Sequence, residues 1–244
     1  MAKKIDYGID APKVIRNLFI IGCSLLVISF LPSHLFPPAF AFFQQSAFFT
    51  ALSLIVCGSF MYAYAKFGKL KHRDRILNLY NWKGDEQVLD VGTGLGLLMI
   101  GAAKKLTTGK ATGIDIFNKY DLSNNCIAQT KMNAELENVS AKTQILTENI
   151  LQTNFNDNMF DVIISNLCLH NLYTKEERKQ ACIEIHRILK PGGRAIISDF
   201  KNAEEYAGHF AKAGMTVRKE GTYFFSTFPP LTIIVASKNN SREL

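Results

Sequence analysis

Two patterns of hydrophobic and polar positions divide the chain. From Asn17 to Ala65 apolar residues follow one another without a single Asp, Glu, Lys or Arg. This stretch holds two apolar runs, roughly Leu18 to Leu31 and Phe42 to Ala65, separated by Pro32-Ser33-His34-Leu35-Phe36-Pro37-Pro38. So proline-dense a break predicts a tight re-entry loop between two helices. Beyond residue 76 the pattern changes, and short β-like runs alternate with helical periods. Strands are expected at Gln87–Val91, Ala111–Asp115, Lys142–Leu146, Phe160–Ser165, Arg194–Asp199, Met215–Lys219 and Leu231–Ala236. Helices are expected near Leu95–Leu106, Ser123–Glu137, Lys175–Leu189 and Ala203–Ala213. Strands separated by helices predict an α/β fold: one doubly wound, mostly parallel, seven-stranded sheet with right-handed crossovers. The last two runs lack a clear helix between them and are expected to form an antiparallel hairpin at one edge.

The uncharged stretch predicts a two-helix transmembrane hairpin. A span needs about 20 apolar residues, with a usable range of roughly 17–25. The second run meets this; the first does so by borrowing Ile15 to Asn17 or Ser33 to Phe36. Lipid is the solvent in which an uncharged hairpin is expected. Two other readings stay open: a secretory signal with Ala39-Phe40-Ala41 as cleavage site, and a buried hairpin of a soluble protein, which normally keeps a charged face. The expected organisation is a membrane anchor over residues 1–67 and an α/β domain over 68–244.

Composition adds one exclusion and one question. With 48% hydrophobic and 20% charged residues, the chain is not a disordered one. Its net charge of +7 is compatible with a nucleic-acid binder or a membrane-surface protein. Position separates the two. Residues 1–16 carry Lys3, Lys4, Lys13 and Arg16 against Asp6 and Asp10. Residues 66–75 carry Lys66, Lys69, Lys71, Arg73 and Arg75 against Asp74, whereas residues 76–244 are nearly balanced, with 19 basic and 18 acidic. The body therefore offers a nucleic acid little electrostatic footing. Positive charge flanking both outer ends of the hairpin predicts an integral membrane protein with both termini and the α/β domain on the cytoplasmic side.

The sharpest motif is Val88-Leu89-Asp90-Val91-Gly92-Thr93-Gly94-Leu95-Gly96, a buried strand entering a glycine-rich turn and a helix N-terminus. Glycines allow close backbone approach and present N–H groups to a ligand. The sequence is GxGxG with Leu97 following, so it departs from the dinucleotide fingerprint. Asp90 fits poorly with a pyrophosphate and well with a cationic ligand. Asp115 follows Gly96 by 19 residues at a strand end, where a carboxylate takes ribose hydroxyls; an ordinary strand-end turn residue is the competing reading.

Over roughly residues 70 to 238 the sequence resembles the class I S-adenosylmethionine-dependent methyltransferases. Val88–Gly96 is similar to the family's glycine-rich motif and Gly113-Ile114-Asp115 to the acidic end of its second strand. Asn149, the Asn154-Phe155 turn and Phe160-Asp161-Val162-Ile163-Ile164-Ser165 correspond to its third and fourth strands. Leu189-Lys190-Pro191-Gly192-Gly193 corresponds to the turn before the fifth. Within the family the chain looks closest to the small-molecule and lipid branch that includes quinone and arsenite methyltransferases. The resemblance implies a Rossmann-like methyltransferase fold and S-adenosylmethionine as cofactor. It assigns Asp90, Gly92, Gly94, Gly96, Asp115 and Asn149 to that cofactor, with Thr93, Ile116, Ile150 and Asn166 beside them. Asn149 stands where the family usually has Asp; its amide oxygen still accepts a hydrogen bond from the adenine amino group, without charge.

In this family the fourth strand leads to the transferring methyl, here Ser165-Asn166-Leu167-Cys168-Leu169-His170-Asn171-Leu172. Asn166, His170 and Asp199 are the catalytic candidates. His170 reads either as a general base or as a structural histidine opening the next helix, and Asp199 as an acceptor-orienting group or a turn residue. The Asn-Pro-Pro-aromatic signature of base and amide N-methylating relatives is absent at Asn166, which argues against a DNA or protein-amide substrate. Cys126, Cys168 and Cys182 show neither CxxC spacing nor a partnering histidine, so no metal is expected. For Cys168 a thiol pair with Cys126 and a buried structural role both stay open. Tyr223-Phe224-Phe225-Ser226-Thr227-Phe228-Pro229-Pro230 is either an aromatic flap for an apolar substrate or sheet-edge packing. The function these observations favour is a membrane-anchored methyltransferase whose partners are the lipid bilayer and a lipid-like or amphipathic acceptor. A methyltransferase of a soluble metabolite and a non-catalytic cofactor-binding module are the alternatives.

Overall fold

Near-continuous apolar runs such as Phe160-Asp161-Val162-Ile163-Ile164 belong to strands covered on both faces, and the computed structural model has that layered arrangement. It describes residues 4–240 apart from 33, 35 and 119; Lys3 of the first basic segment and Ser33 and Leu35 of the proline-dense loop lie outside them. The body contains β1 (Gln87–Val91), α4 (Leu97–Ala103), β2 (Lys110–Asp115), α5 (Ile127–Leu136), β3 (Thr143–Thr147), β4 (Phe160–Asn166), α6 (Lys175–Ile188), β5 (Leu189–Asp199), α7 (Ala203–Lys212), β6 (Thr216–Tyr223) and β7 (Leu231–Ser237). Before it come α1 (Pro12–Ser29), α2 (Ala39–Ala63) and α3 (Lys69–Leu77). The seven strands form one sheet in the order β3-β2-β1-β4-β5-β7-β6. Its pairs are parallel except those of β7, which runs antiparallel to β5 and β6. The expected edge hairpin is therefore present, with β6 outermost.

Alternate strand residues feed two cores. Leu89, Ile163 and Ile197 pack with Ile185 of α6 and Phe210 of α7 on one face. Val88, Val162, Ile164 and Ile196 pack with Ile76 and Leu77 of α3 and with α4 on the other. α3, the C-terminal end of the basic segment, is thus part of the body's core.

Three boundaries differ from expectation for identifiable reasons. α5 starts at Ile127 and not at Ser123, because Ser123 is held by Ile9: its N–H donates to the Ile9 carbonyl (3.1 Å) and its hydroxyl accepts from the Ile9 N–H (2.7 Å). β5 starts at Leu189, so the Pro-Gly-Gly expected as a turn lies within an irregular strand whose register shifts between Phe160 and Val162 of β4. The Gly192 N–H reaches the Lys238 carbonyl at 2.8 Å and fixes that detour. β6 runs on to Tyr223 across an irregularity at Lys219/Gly221.

The uncharged stretch forms two helices, each long and apolar enough to cross a membrane. The first begins at Pro12, taking its extra length from the N-terminal side. The second continues without a break through a π-helical turn at Tyr64–Gly68 into α3, from Ala39 to Leu77. α1 and α2 pack together where side chains are small: Gly22, Ala47, Ala51 and Gly58 are buried, and a methyl on Gly58 would press on the Phe19 ring. Their outer faces are apolar and exposed, including Ile20, Ile21 and Val27 on α1 and Phe42, Phe49 and Phe60 on α2.

Candidate active site

The parallel strands end on one edge of the sheet, and the chain's chemistry collects there. After β1 the backbone turns sharply, and the N–H groups of Gly92 and Thr93 both donate to the Ile114 carbonyl, at 2.9 and 3.0 Å. Gly92 sits at φ +74°, and a Cβ there would overlap the Cys168 side chain, so only glycine fits. Asp90 is buried beneath the turn. Its Oδ2 accepts from the Thr93 hydroxyl (2.8 Å) and the Met99 N–H (2.9 Å). Burial drives its pKa up to about 7, against those two hydrogen bonds and with a contribution from the nearby Asp115 carboxylate.

Asp115 closes β2. Its Oδ2 accepts from the Gly94 N–H (2.8 Å) and its Oδ1 from the Phe117 N–H (2.6 Å), so the carboxylate ties the glycine turn to the strand end. Each oxygen keeps a further lone pair for a ligand hydroxyl. The Asn149 Oδ1 accepts from the Leu151 N–H (3.0 Å), which shapes the turn after β3. At the end of β4 the buried Oδ1 of Asn166 has no hydrogen-bond partner.

The structure brings Asp90, Gly92, Thr93, Gly94, Asp115, Ile116, Asn149, Ile150 and Asn166 into the wall of one cleft. Three expected site residues lie outside that wall. Gly96, at φ +87°, serves instead as the N-cap of α4. Asp199 is buried and its carboxylate is taken: Oδ2 accepts from the His170 N–H (3.0 Å) and Oδ1 from the Phe200 N–H (2.9 Å). His170 turns to the same carboxylate, with Nδ1 at 2.8 Å from Asp199 Oδ1 and its ring edge-on to Phe200. The geometry thus gives the pair a loop-fixing role, because the ends of β5 and of the 167–172 loop meet each other beside the cleft. Cys168 does line the cleft, whereas Cys126 does not. Burial, reinforced by surrounding carboxylates with Asp115 foremost, raises the Cys168 thiol well above its usual range, so it presents as a protonated, apolar group.

Sequence reasoning missed one side of the cleft. Tyr7 and Asp10, together with Lys69 of α3, contribute to its wall. Lys69 is buried; its Nζ donates to the carbonyls of Tyr7 and Gly8, each at 2.6 Å, and stands 3.6 Å from Asp10. The N-terminal segment is sewn to the body as well. The Tyr7 hydroxyl donates to Glu137 (2.9 Å), Asn133 Nδ2 to the Asp6 carbonyl (2.7 Å), and the Ala11 N–H to the Asp121 carbonyl (2.9 Å). No local pattern marks these residues, since each acts across more than 50 positions of sequence.

The sheet order, the glycine turn after β1 and the acidic end of β2 define the class. Residues 89–197 match the family model described as a methyltransferase domain, and the fold around them is that of the S-adenosylmethionine-dependent methyltransferases. Among relatives, the chain is 29% identical over 119 residues to the 2-phytyl-1,4-naphtoquinone methyltransferase of Nostoc sp., covering 48% of each chain. It is 33% identical over 132 residues to the ribosomal protein L11 methyltransferase of Neisseria meningitidis, covering 53% of this chain and 38% of that one. The chain thus spans about half or less of the length of these curated relatives. Its fold is similar to that of Haemonchus contortus phosphoethanolamine N-methyltransferase 2, solved with phosphomonomethylethanolamine and S-adenosylhomocysteine. That likeness has a TM-score of 0.58 at 18% identity over 70% of this chain and 53% of that one. The residues present fit S-adenosylmethionine. A Cβ-free turn admits the ligand, Asp115 has lone pairs to spare for hydroxyls, and buried Asp90 offers a negative charge to a cation.

Proposed function

We propose that the protein is a membrane-anchored methyltransferase acting on a lipid-like or amphipathic small molecule at the cytoplasmic face. One observation carries this reading. The helix that begins in the uncharged stretch at Ala39 runs without interruption to Leu77, and on its way supplies Lys69 to the cofactor cleft. An anchor that doubles as a wall of the site holds the site close to the membrane surface. The exposed apolar faces of α1 and α2 support insertion, and the relative that acts on 2-phytyl-1,4-naphtoquinone supports an acceptor of that character.

The bound cofactor supplies a methyl group on a sulfonium, already a good leaving group. The tasks of this chain's residues are therefore positioning and exclusion of water. Asp115 and Asp90 hold the cofactor's polar parts, and the glycine turn packs against them. Leu167, Cys168 and Leu172 give the cleft an apolar wall where an acceptor approaches. The basic residues flanking the hairpin support an orientation with both termini in the cytoplasm, Lys69 excepted because it is spent inside the protein.

The test is to incubate the full chain with methyl-labelled S-adenosylmethionine and native membrane extract. Label is expected in the organic phase. Label confined to the aqueous phase would overturn the lipid acceptor, and absence of any transfer would overturn the enzyme.

A further inference from the structure

A second cavity, of about 420 Å³, lies between the C-terminal end of α2 and the loop joining β6 to β7. Its walls are aromatic: Phe60 and Tyr64 from the anchor helix, and Phe224, Phe225 and Phe228 from the loop. Phe60 and Phe228 stack with ring centroids 5.6 Å apart. The loop is fixed from behind, since Tyr223 lies under the Arg75 guanidinium (3.9 Å) and the Thr227 hydroxyl donates to the Tyr223 carbonyl (2.5 Å). Its tip is not packed at all, and Phe224 and Phe225 stand exposed, as does Phe67 on the π-helical turn.

Two buried polar atoms belong to neighbouring residues, Tyr64 in the wall of this cavity and Asn166 in the wall of the cofactor cleft. Tyr64 is only 6% exposed, yet its hydroxyl has no hydrogen-bond partner. It neighbours the side chain of Asn166, whose Oδ1 is unpartnered too. Asn166 in turn lines the cofactor cleft. Unsatisfied buried groups cost about 1–3 kcal/mol each and are rare without a ligand to serve them. The placement of Tyr64 is built in: its ring lies so close over Gly68 that a Cβ there would come within 2.6 Å of it. A π-helical turn is itself a common marker of functional positions.

We propose that this aromatic cavity is the acceptor's entrance and binding site. It takes from the bilayer a molecule with an apolar body and a hydroxyl-bearing head, and that head meets the Tyr64 hydroxyl and the Asn166 amide oxygen beside the cofactor cleft. The proposal rests on the membrane-anchored reading above and names the route and the two polar contacts. The occupant follows from the surroundings. The cavity is continuous with the exposed apolar surface of α2 through Phe60, so what reaches it from that side is soluble in lipid. The donor–acceptor character of a hydroxyl suits a phenolic oxygen next to an amide oxygen. Phe224 and Phe225 line the cavity and stand exposed, as aromatic residues favour the membrane interface.

The test uses the full chain in phosphatidylethanolamine/phosphatidylglycerol vesicles with two photoreactive probes, a diazirine-bearing alkylphenol and the matching alkylbenzene. Adducts of the alkylphenol are expected on residues 60–64 and 224–228. Tyr64→Phe is expected to reduce them about fivefold, while adducts of the alkylbenzene change less than twofold. S-adenosylhomocysteine binding reports that each variant is folded. Adducts spread evenly over the outer faces of α1 and α2, or an equal response of both probes to Tyr64→Phe, would overturn the proposal. Labelling is read without methyl transfer, so the cavity fails on adduct position and the methyltransferase reading fails separately on the organic-phase assay.

Discussion

At the scale of single residues, Asp90 makes cofactor binding pH-dependent. A carboxyl raised to about 7 by burial is about half protonated at neutral pH. A cationic ligand favours the ionised form and lowers that pKa. Affinity is therefore expected to rise between pH 6 and 8, with uptake of the cofactor releasing a fraction of a proton; calorimetry in buffers of different ionisation enthalpy measures this. Asp115→Ala removes an acceptor for ligand hydroxyls and frees the Gly94 N–H, and is expected to weaken cofactor affinity by about 1.5–3 kcal/mol, read by the same titration. Glu184 supplies a contrast outside the wall of the cleft. Burial pushes its pKa up, but hydrogen bonds from Arg187 and Thr153 outweigh burial and hold it at about 2. A folded pKa below the ordinary 4.5 contributes stability that is whole above pH 4.5 and is lost as pH falls toward 2. In Glu184→Gln the acid limb of the stability curve should flatten across that window, as denaturant titrations would record. Asp90, Asp115 and the glycines were legible in the sequence because a strand, a turn and a helix start lie within a few residues of one another. His170 was not, since its orientation depends on Asp199, 29 residues away.

At the scale of elements, periodicity located every strand of the sheet and the helices α4 to α7, and its failures have tertiary causes. Ser123 belongs to a helical period and is withheld from α5 by Ile9. The Pro-Gly-Gly segment has turn composition and is drawn into β5 by Lys238. The hairpin rests on small residues where its helices cross, as expected where close backbone approach takes the place of hydrophobic burial. Gly58→Leu is expected to drive α1 away from α2; a disulfide-trapping pair placed across the crossing would then form more slowly than in the parent protein. Unchanged trapping would show that the two helices do not rely on that contact. The π-helical turn escaped sequence reading altogether, since the stretch 64–68 has ordinary helical composition.

At the scale of the whole molecule, contacts cross the expected division into an anchor and a body. The segment from Asp6 to Ala11 and the helix bearing Lys69 belong to both. A truncation that removes residues 1–11 takes away both carbonyl acceptors of the Lys69 ammonium and its Asp10 partner, which is expected to cost about 1–3 kcal/mol. Chemical denaturation would measure this loss, and Lys69→Met in the truncated chain should recover much of it. Such coupling also dictates how membrane attachment is tested: stripping residues 1–65 would damage the cofactor cleft along with the anchor, whereas polar substitutions at Phe42 and Phe49 leave the cleft intact. The short stretch that Lys69 holds across the cleft has one more consequence, which is reciprocity. It leads directly into α1, so in the membrane-anchored arrangement proposed above any free energy by which a seated hairpin orders it would appear equally as tighter cofactor binding, and cofactor binding would repay the same amount in firmer seating. The enzyme would then hold its cofactor best in an intact bilayer and let go of it in detergent, making its activity a report on whether it is still at home.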